Sequence, residues 1–158
     1  MSDTTSTNMR QLYQEVILDH GKNPRNFRHP AGANREAHGN NPLCGDRLTV
    51  YVTLDSNARV ADAAFEGRGC AISVASASMM TDIVKGKTLK EVDALFDDFH
   101  KMCTGDEAQK TPAELADDLD KLRVLSGVRQ YPMRVKCATL AWHTLNAAVH
   151  GDEVATTE

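Results

Sequence analysis

The chain has 158 residues, of which 41% are hydrophobic and 25% charged, and it carries a formal net charge of -4 with an isoelectric point near 5.8. That length can bury a core without staples, and the composition is ordinary for a soluble globular domain. A mildly acidic chain with no basic cluster sets nucleic-acid binding aside, and no apolar run approaches the roughly 20 residues that span a bilayer. The opening "MSDTTSTN" lacks the basic and apolar regions of a secretory signal, so the expected location is the cytoplasm. In that reducing compartment four cysteines point to metal ligands or reactive thiols rather than disulfides.

Residues 1–7 are polar and read as a disordered tail. In "NMRQLYQEVILDHG", Met9, Leu12, Tyr13, Val16 and Ile17 form one apolar stripe at helical spacing, with Gly21 as the stop. From Lys22 to Pro42 the chain is rich in Pro, Gly and Asn and reads as loop, with at most a short strand near Arg35 to Gly39. "RLTVYVTL" alternates, placing Leu48, Val50, Val52 and Leu54 on one face. "DSN" is the turn to a second strand, "ARVADAAFE". After "GRG" the period becomes helical, with Ile72, Ala75, Met79, Met80 and Ile83 recurring before Gly86. "TLKEVDALFDDFHKMC" opens with a Thr88 to Glu91 capping box and keeps Leu89, Val92, Leu95, Phe96 and Phe99 on one side. A second box, with Thr111 as cap, Pro112 next and Glu114 three residues after the cap, starts an acidic helix through about Leu125. The last helix runs from Pro132 to about His150, closed by Gly151, and residues 151–158 read as a second tail. Strands first and helices afterwards predict one α+β domain over residues 1–158: a small antiparallel three-stranded sheet with helices on one face.

The thiols differ in setting. Cys70 follows "GRG" at a helix N-terminus, where free N–H groups and the helix dipole favour a thiolate; a small buried residue capping a helix is the competing account. Cys137 sits in the first turns of the final helix, near Arg134 and Lys136, and a core cysteine on an amphipathic helix competes there. Cys103 extends the apolar stripe of Val92, Phe96 and Phe99 and reads as structural. Cys44 lies in "NPLCGD", where Gly45 permits backbone angles that turn the Cys44 sulfur and the Asp46 carboxylate toward one point. Three thiolates and a carboxylate from three segments can make one tetrahedral zinc site, but spacings of 26 and 67 residues carry no local signature. Spacing alone favours ordinary thiols of a small enzyme over metal binding. The six histidines are scattered, and His143 is assigned to surface or core.

"NPLCGD", "FEGRGCAIS" and "YPMRVKCATLAW" resemble, in order and context, the three cysteine motifs of the U-type iron-sulfur cluster assembly proteins, the IscU and NifU N-terminal-like family. The likeness covers nearly the whole chain, beginning with "LYQEVILDHGKNPRNF". Three departures resemble the SufU branch. Lys136 stands where the IscU-like scaffolds carry a histidine; "YPMRV" replaces the "LPPVK" segment read by a dedicated Hsp70 chaperone; and "DDFHKMCTGDEAQKTPAELADDLDK" is an additional helical stretch. The resemblance implies a SufE/NifU-like fold, with zinc held by Cys44, Asp46, Cys70 and Cys137. It further implies a sulfurtransferase in which Cys44 accepts persulfide sulfur from a SufS-like cysteine desulfurase, a histidine of the desulfurase replacing Cys44 on the metal, and sulfur then passes to a SufBCD-type scaffold. The alternative is a scaffold on which a [2Fe-2S] cluster forms on the same residues, and a metal-stabilised regulator of the desulfurase is a third reading. Neither nucleic acid, membrane nor a dedicated Hsp70 chaperone is an expected partner.

Overall fold

The computed structural model describes residues 14–42, 45–105, 113–151 and 154–156. Helix α1 covers residues 14–22 of the described chain, continuing through Gly21 rather than stopping there. The earlier part of its apolar stripe lies outside the described residues. Strands β1 (Arg35–Asn41), β2 (Asp46–Leu54) and β3 (Val60–Arg68) follow, all antiparallel neighbours, with Val50 opposite Ala37 on one side and Phe65 on the other. Alternation turns Ala37, Leu48, Val50, Val52, Ala63 and Phe65 to one face, where each is at most 2% exposed. The β2–β3 turn is held by Asp55, whose Oδ1 accepts from the N–H groups of Asn57 and Arg59.

The apolar face is covered by α2 (Ala71–Val84) and α5 (Pro132–Val149). Ten of the 14 residues of α2 are buried, and its run of Ser and Ala lets α5 approach closely; Ser76 Oγ donates to the Ala138 carbonyl at their contact. Helix α3 (Leu89–Thr104) then packs on α5, with Phe99 and Trp142 rings 5.4 Å apart. It starts with the expected capping box, Thr88 and Glu91 each accepting the other's N–H, and ends at Gly105 with φ of 86°.

Two further elements depart from the sequence reading. The acidic helix ending near Leu125 is instead a 3₁₀ turn (Ala113–Leu115), α4 (Ala116–Leu122) and a 3₁₀ stretch (Arg123–Gln130). Thr111 and Pro112 of its capping box lie outside the described residues. Ser126 and Gly127 weaken a continuing α-helix, and the tighter winding still buries Leu125 and Val128. The sheet also has a fourth strand: β4 (Val154–Thr156), within the expected C-terminal tail, pairs parallel to β1 in the order β3-β2-β1-β4. Residues 1–7 lie outside the described chain. Among the described residues no helix is long and apolar enough to cross a membrane.

Candidate functional site

Three of the four expected ligands meet at one end of the sheet. Asp46 is the first residue of β2, Cys70 is the N-cap of α2, and Cys137 is the sixth residue of α5. One carboxylate oxygen of Asp46 and the Sγ atoms of Cys70 and Cys137 all lie within 4.8 Å of one another. Sulfur ligands about 2.3 Å from a tetrahedral zinc sit roughly 3.8 Å apart, so this set is near the spacing a metal imposes. Cys44 and Leu43 lie outside the described residues. The chain on either side is described: Asn41 pairs with Asp46, the Gly45 N–H donates to the Asn41 carbonyl at 2.9 Å, and Gly45 has φ of 72°. The left-handed conformation that the "CGD" motif suggested is therefore present at Gly45.

Asp46 is 1% exposed. Its Oδ1 accepts from the Cys70 N–H at 3.0 Å, tying the start of β2 to the N-terminus of α2, where the helix dipole favours an anion. Its Oδ2 is buried and has no hydrogen-bond partner among the described residues. A buried carboxylate oxygen without a partner is costly, and a bound cation removes that cost. Beside it stand two thiols. Soft sulfur with one hard oxygen is a donor set suited to zinc, so these residues fit the metal that the sequence resemblance implies.

The thiol surroundings sharpen the sequence reading. Cys137 is fully buried beyond the first turn of α5, where the dipole has faded, and its Sγ donates to the Met133 carbonyl at 3.6 Å. The nearby cation matters more. The hydrogen bond to Cys137, and after it the charges of Cys70 and Cys137, raise the pKa of Arg134 above its ordinary value, so one guanidinium serves both sulfurs. Cys103 is buried in the core, and burial pushes its thiol up to about 12, in keeping with a structural residue. His143 packs edge-on against Phe96 at 4.9 Å, apart from the thiol cluster.

Gly69 was not singled out by sequence. A Cβ built there would lie 2.7 Å from Asp46 Oδ1 and 3.0 Å from its Cγ, so only glycine lets the carboxylate lie against the chain just before Cys70. The signal was the "GRG" run itself, which reads as a loop until its partner 23 residues earlier is placed beside it.

An α+β domain with two thiols and a carboxylate from three segments gathered at the sheet end defines a class: a small protein with a thiol-rich candidate metal site. The family profile of the NifU-like N terminal domain matches residues 12–138, and the chain belongs to that family. It is 41% identical over 148 residues to the zinc-dependent sulfurtransferase SufU of Bacillus subtilis (strain 168), covering 94% of this chain and 96% of the relative. It is also 41% identical over 141 residues to the iron-sulfur cluster assembly scaffold protein IscU of Streptococcus pyogenes serotype M1, covering 89% and 84%. The crystal structure of the N-terminal part of a nitrogen-fixing NifU-like protein from Brucella abortus superposes with a TM-score of 0.75 at 26% identity, covering 87% of this chain and 92% of that one.

Proposed function

We propose that this protein is a zinc-dependent sulfurtransferase of iron-sulfur cluster assembly, working in the cytoplasm. Zinc is held by Cys44, Asp46, Cys70 and Cys137, and Cys44 is the residue that accepts sulfur. The observation that carries the reading is the convergence of Asp46, Cys70 and Cys137 within 4.8 Å around a buried, unpartnered carboxylate oxygen. The likeness to the Bacillus subtilis sulfurtransferase across 94% of the chain supports the choice of zinc and of sulfur transfer.

When bound, zinc supplies a redox-inert centre that keeps thiols ionised without oxidising them. The protein's residues supply the rest. Asp46 and Cys70 are fixed by the hydrogen bond between them, and Cys137 by its helix. Cys44 directly precedes Gly45 in the sequence and is the proposed ligand that leaves the metal. Its thiolate attacks the outer sulfur of a persulfide on a SufS-like cysteine desulfurase. A new S–S bond forms on Cys44 while the bond between the outer sulfur and the desulfurase cysteine breaks, and that cysteine departs as a thiolate. The exchange has no net oxidation and needs no added reductant. A SufBCD-type scaffold is the proposed acceptor of the sulfur.

Incubation of the zinc-loaded protein with the desulfurase and cysteine, followed by mass mapping, should find persulfide on Cys44 and not on Cys103. Desulfurase turnover that rises while Cys44 stays unmodified would show a regulator instead. The 41% identity to the Streptococcus pyogenes scaffold favours a second reading, in which a [2Fe-2S] cluster is the cargo assembled on the same residues. Aerobic purification separates the two: a colourless protein with zinc fits the carrier, a brown one with iron the scaffold.

A further inference from the structure

The face of the sheet turned away from α2 and α5 holds a feature the site chemistry does not use. Arg47 of β2 and Arg68 of β3 are direct cross-strand partners, with Asn40 of β1 opposite Arg47 on its other side. Both arginines are exposed, and among the described residues neither has an ion-pair partner. The carboxylates of Glu66 and Glu36 lie on the same face and are ion-paired with neither arginine: Glu66 accepts from the Tyr51 hydroxyl at 2.9 Å, and Glu36 lies 3.4 Å from His38 Nε2. Like charges directly opposite each other weaken a sheet, and this chain is otherwise net negative. An exposed arginine pair with no ion-pair partner among the described residues offers a place for an anionic occupant.

Its position identifies the occupant's approach. Arg47 follows Asp46 directly, and Arg68 stands two residues before Cys70, so the pair marks the end of the sheet that carries the site. Arg134, beside Cys70 and Cys137, adds a cation from a third segment. The arginine pair flanks an open depression of about 570 Å³ with His38, Asn40 and Thr49, in which both arginines, His38 and Asn40 are exposed. A small anion in so open a place would keep its water. Two guanidinium forks on neighbouring strands instead match successive carboxylates on a polypeptide, each able to pair bidentately.

We infer that the Arg47–Arg68 pair is the docking surface for an acidic segment of the protein that delivers sulfur to Cys44. This rests on the sulfur-transfer reading above. Electrostatic pairing at the margin of the site sets the encounter rate and the register of the two proteins, leaving the thiols free for chemistry.

The test titrates the full zinc-loaded chain with the cysteine desulfurase at rising sodium chloride, comparing wild type with R47E/R68E, R47Q/R68Q and R47K/R68K. The lysine pair, which keeps the charge but not the fork, should bind more weakly than wild type, the glutamine pair more weakly still, and the glutamate pair about tenfold more weakly than wild type or worse, with its dependence on salt flattened. Zinc content should not change, and the glutamine pair, which removes the opposed like charges, should melt no lower than wild type. Sulfur acceptance from a low-molecular-weight persulfide should be equal in all four, so that any loss of transfer from the desulfurase is a loss of docking. Equal desulfurase affinity in wild type and the glutamate pair, or no binding by wild type, overturns the inference. Wild type that binds through these arginines yet accepts sulfur from neither donor leaves the docking surface standing and removes the sulfur-transfer reading.

Discussion

Asp46 presents one oxygen to the Cys70 N–H and keeps the other buried without a hydrogen bond among the described residues. The first contact fixes the carboxylate; the second oxygen gives it a reason to hold a cation. Gly69 makes the arrangement possible, and its replacement is the sharper probe, because it substitutes none of the proposed ligands. In Gly69→Ala the new Cβ, 2.7 Å from Oδ1, must displace Asp46 or the chain before Cys70. Overpacking of this kind costs about 1–3 kcal/mol. The variant should melt at a lower temperature and release zinc to a chromophoric chelator more readily than wild type. A variant that matches wild type in both would detach Gly69 and the Asp46 carboxylate from the site. Arg134 acts on the same small scale, as one exposed cation shared by two thiols.

At the scale of elements, α3 and α5 are joined by a ring cluster of Phe96, Phe99, His100, Trp142 and His143. Burial against these rings, and after it the charge of His100, lowers the pKa of His143 below 6.5. His20 of α1 is lowered in the same way, first by burial and then by Arg25, while its Nδ1 lies 2.7 Å from Ser78 Oγ. The unfolded chain takes up these protons at higher pH than the folded one. Their contribution to stability is therefore complete above the unfolded value of about 6.5 and is lost as the pH falls below it. Thermal melts between pH 7.5 and 5.5 should show stability falling toward acid, with a shallower fall in His143→Leu. Identical slopes in the two proteins would mean that His143 does not titrate differently on folding. The same ring cluster explains how α5 is held while its N-terminal half presents Cys137 to the site.

For the whole molecule, the readable parts of the sequence were those with a local period or cap. Alternation in "RLTVYVTL", the Thr88 to Glu91 box and the stripe of α3 specify elements through near neighbours, and those elements are present at almost the expected bounds. Strand β4 was not legible, since three residues pairing with β1 from over 100 positions away have no periodic signal of their own. Nor was the division of the acidic helix into 3₁₀ and α segments, which answers to packing on α3 and α5 more than to propensity. The site was legible as residues rather than as geometry. Cys70 and Cys137 stood at helix starts beside cations and dipoles, yet their approach to Asp46 depends on the close packing of α2 on α5 and on the bare backbone at Gly69. The Arg47–Arg68 pairing depends on strand register, which separate motifs do not encode.

In the proposed site, three segments of this chain hold one zinc through three sulfurs and a carboxylate. X-ray absorption at the zinc edge of the full-length protein, with metal content measured on the same sample, tests it most directly. The expected result is one zinc per chain with three sulfur neighbours and one oxygen neighbour, and loss of the oxygen in Asp46→Ala. A preparation that binds no zinc, or a shell of nitrogen and oxygen alone, would contradict it.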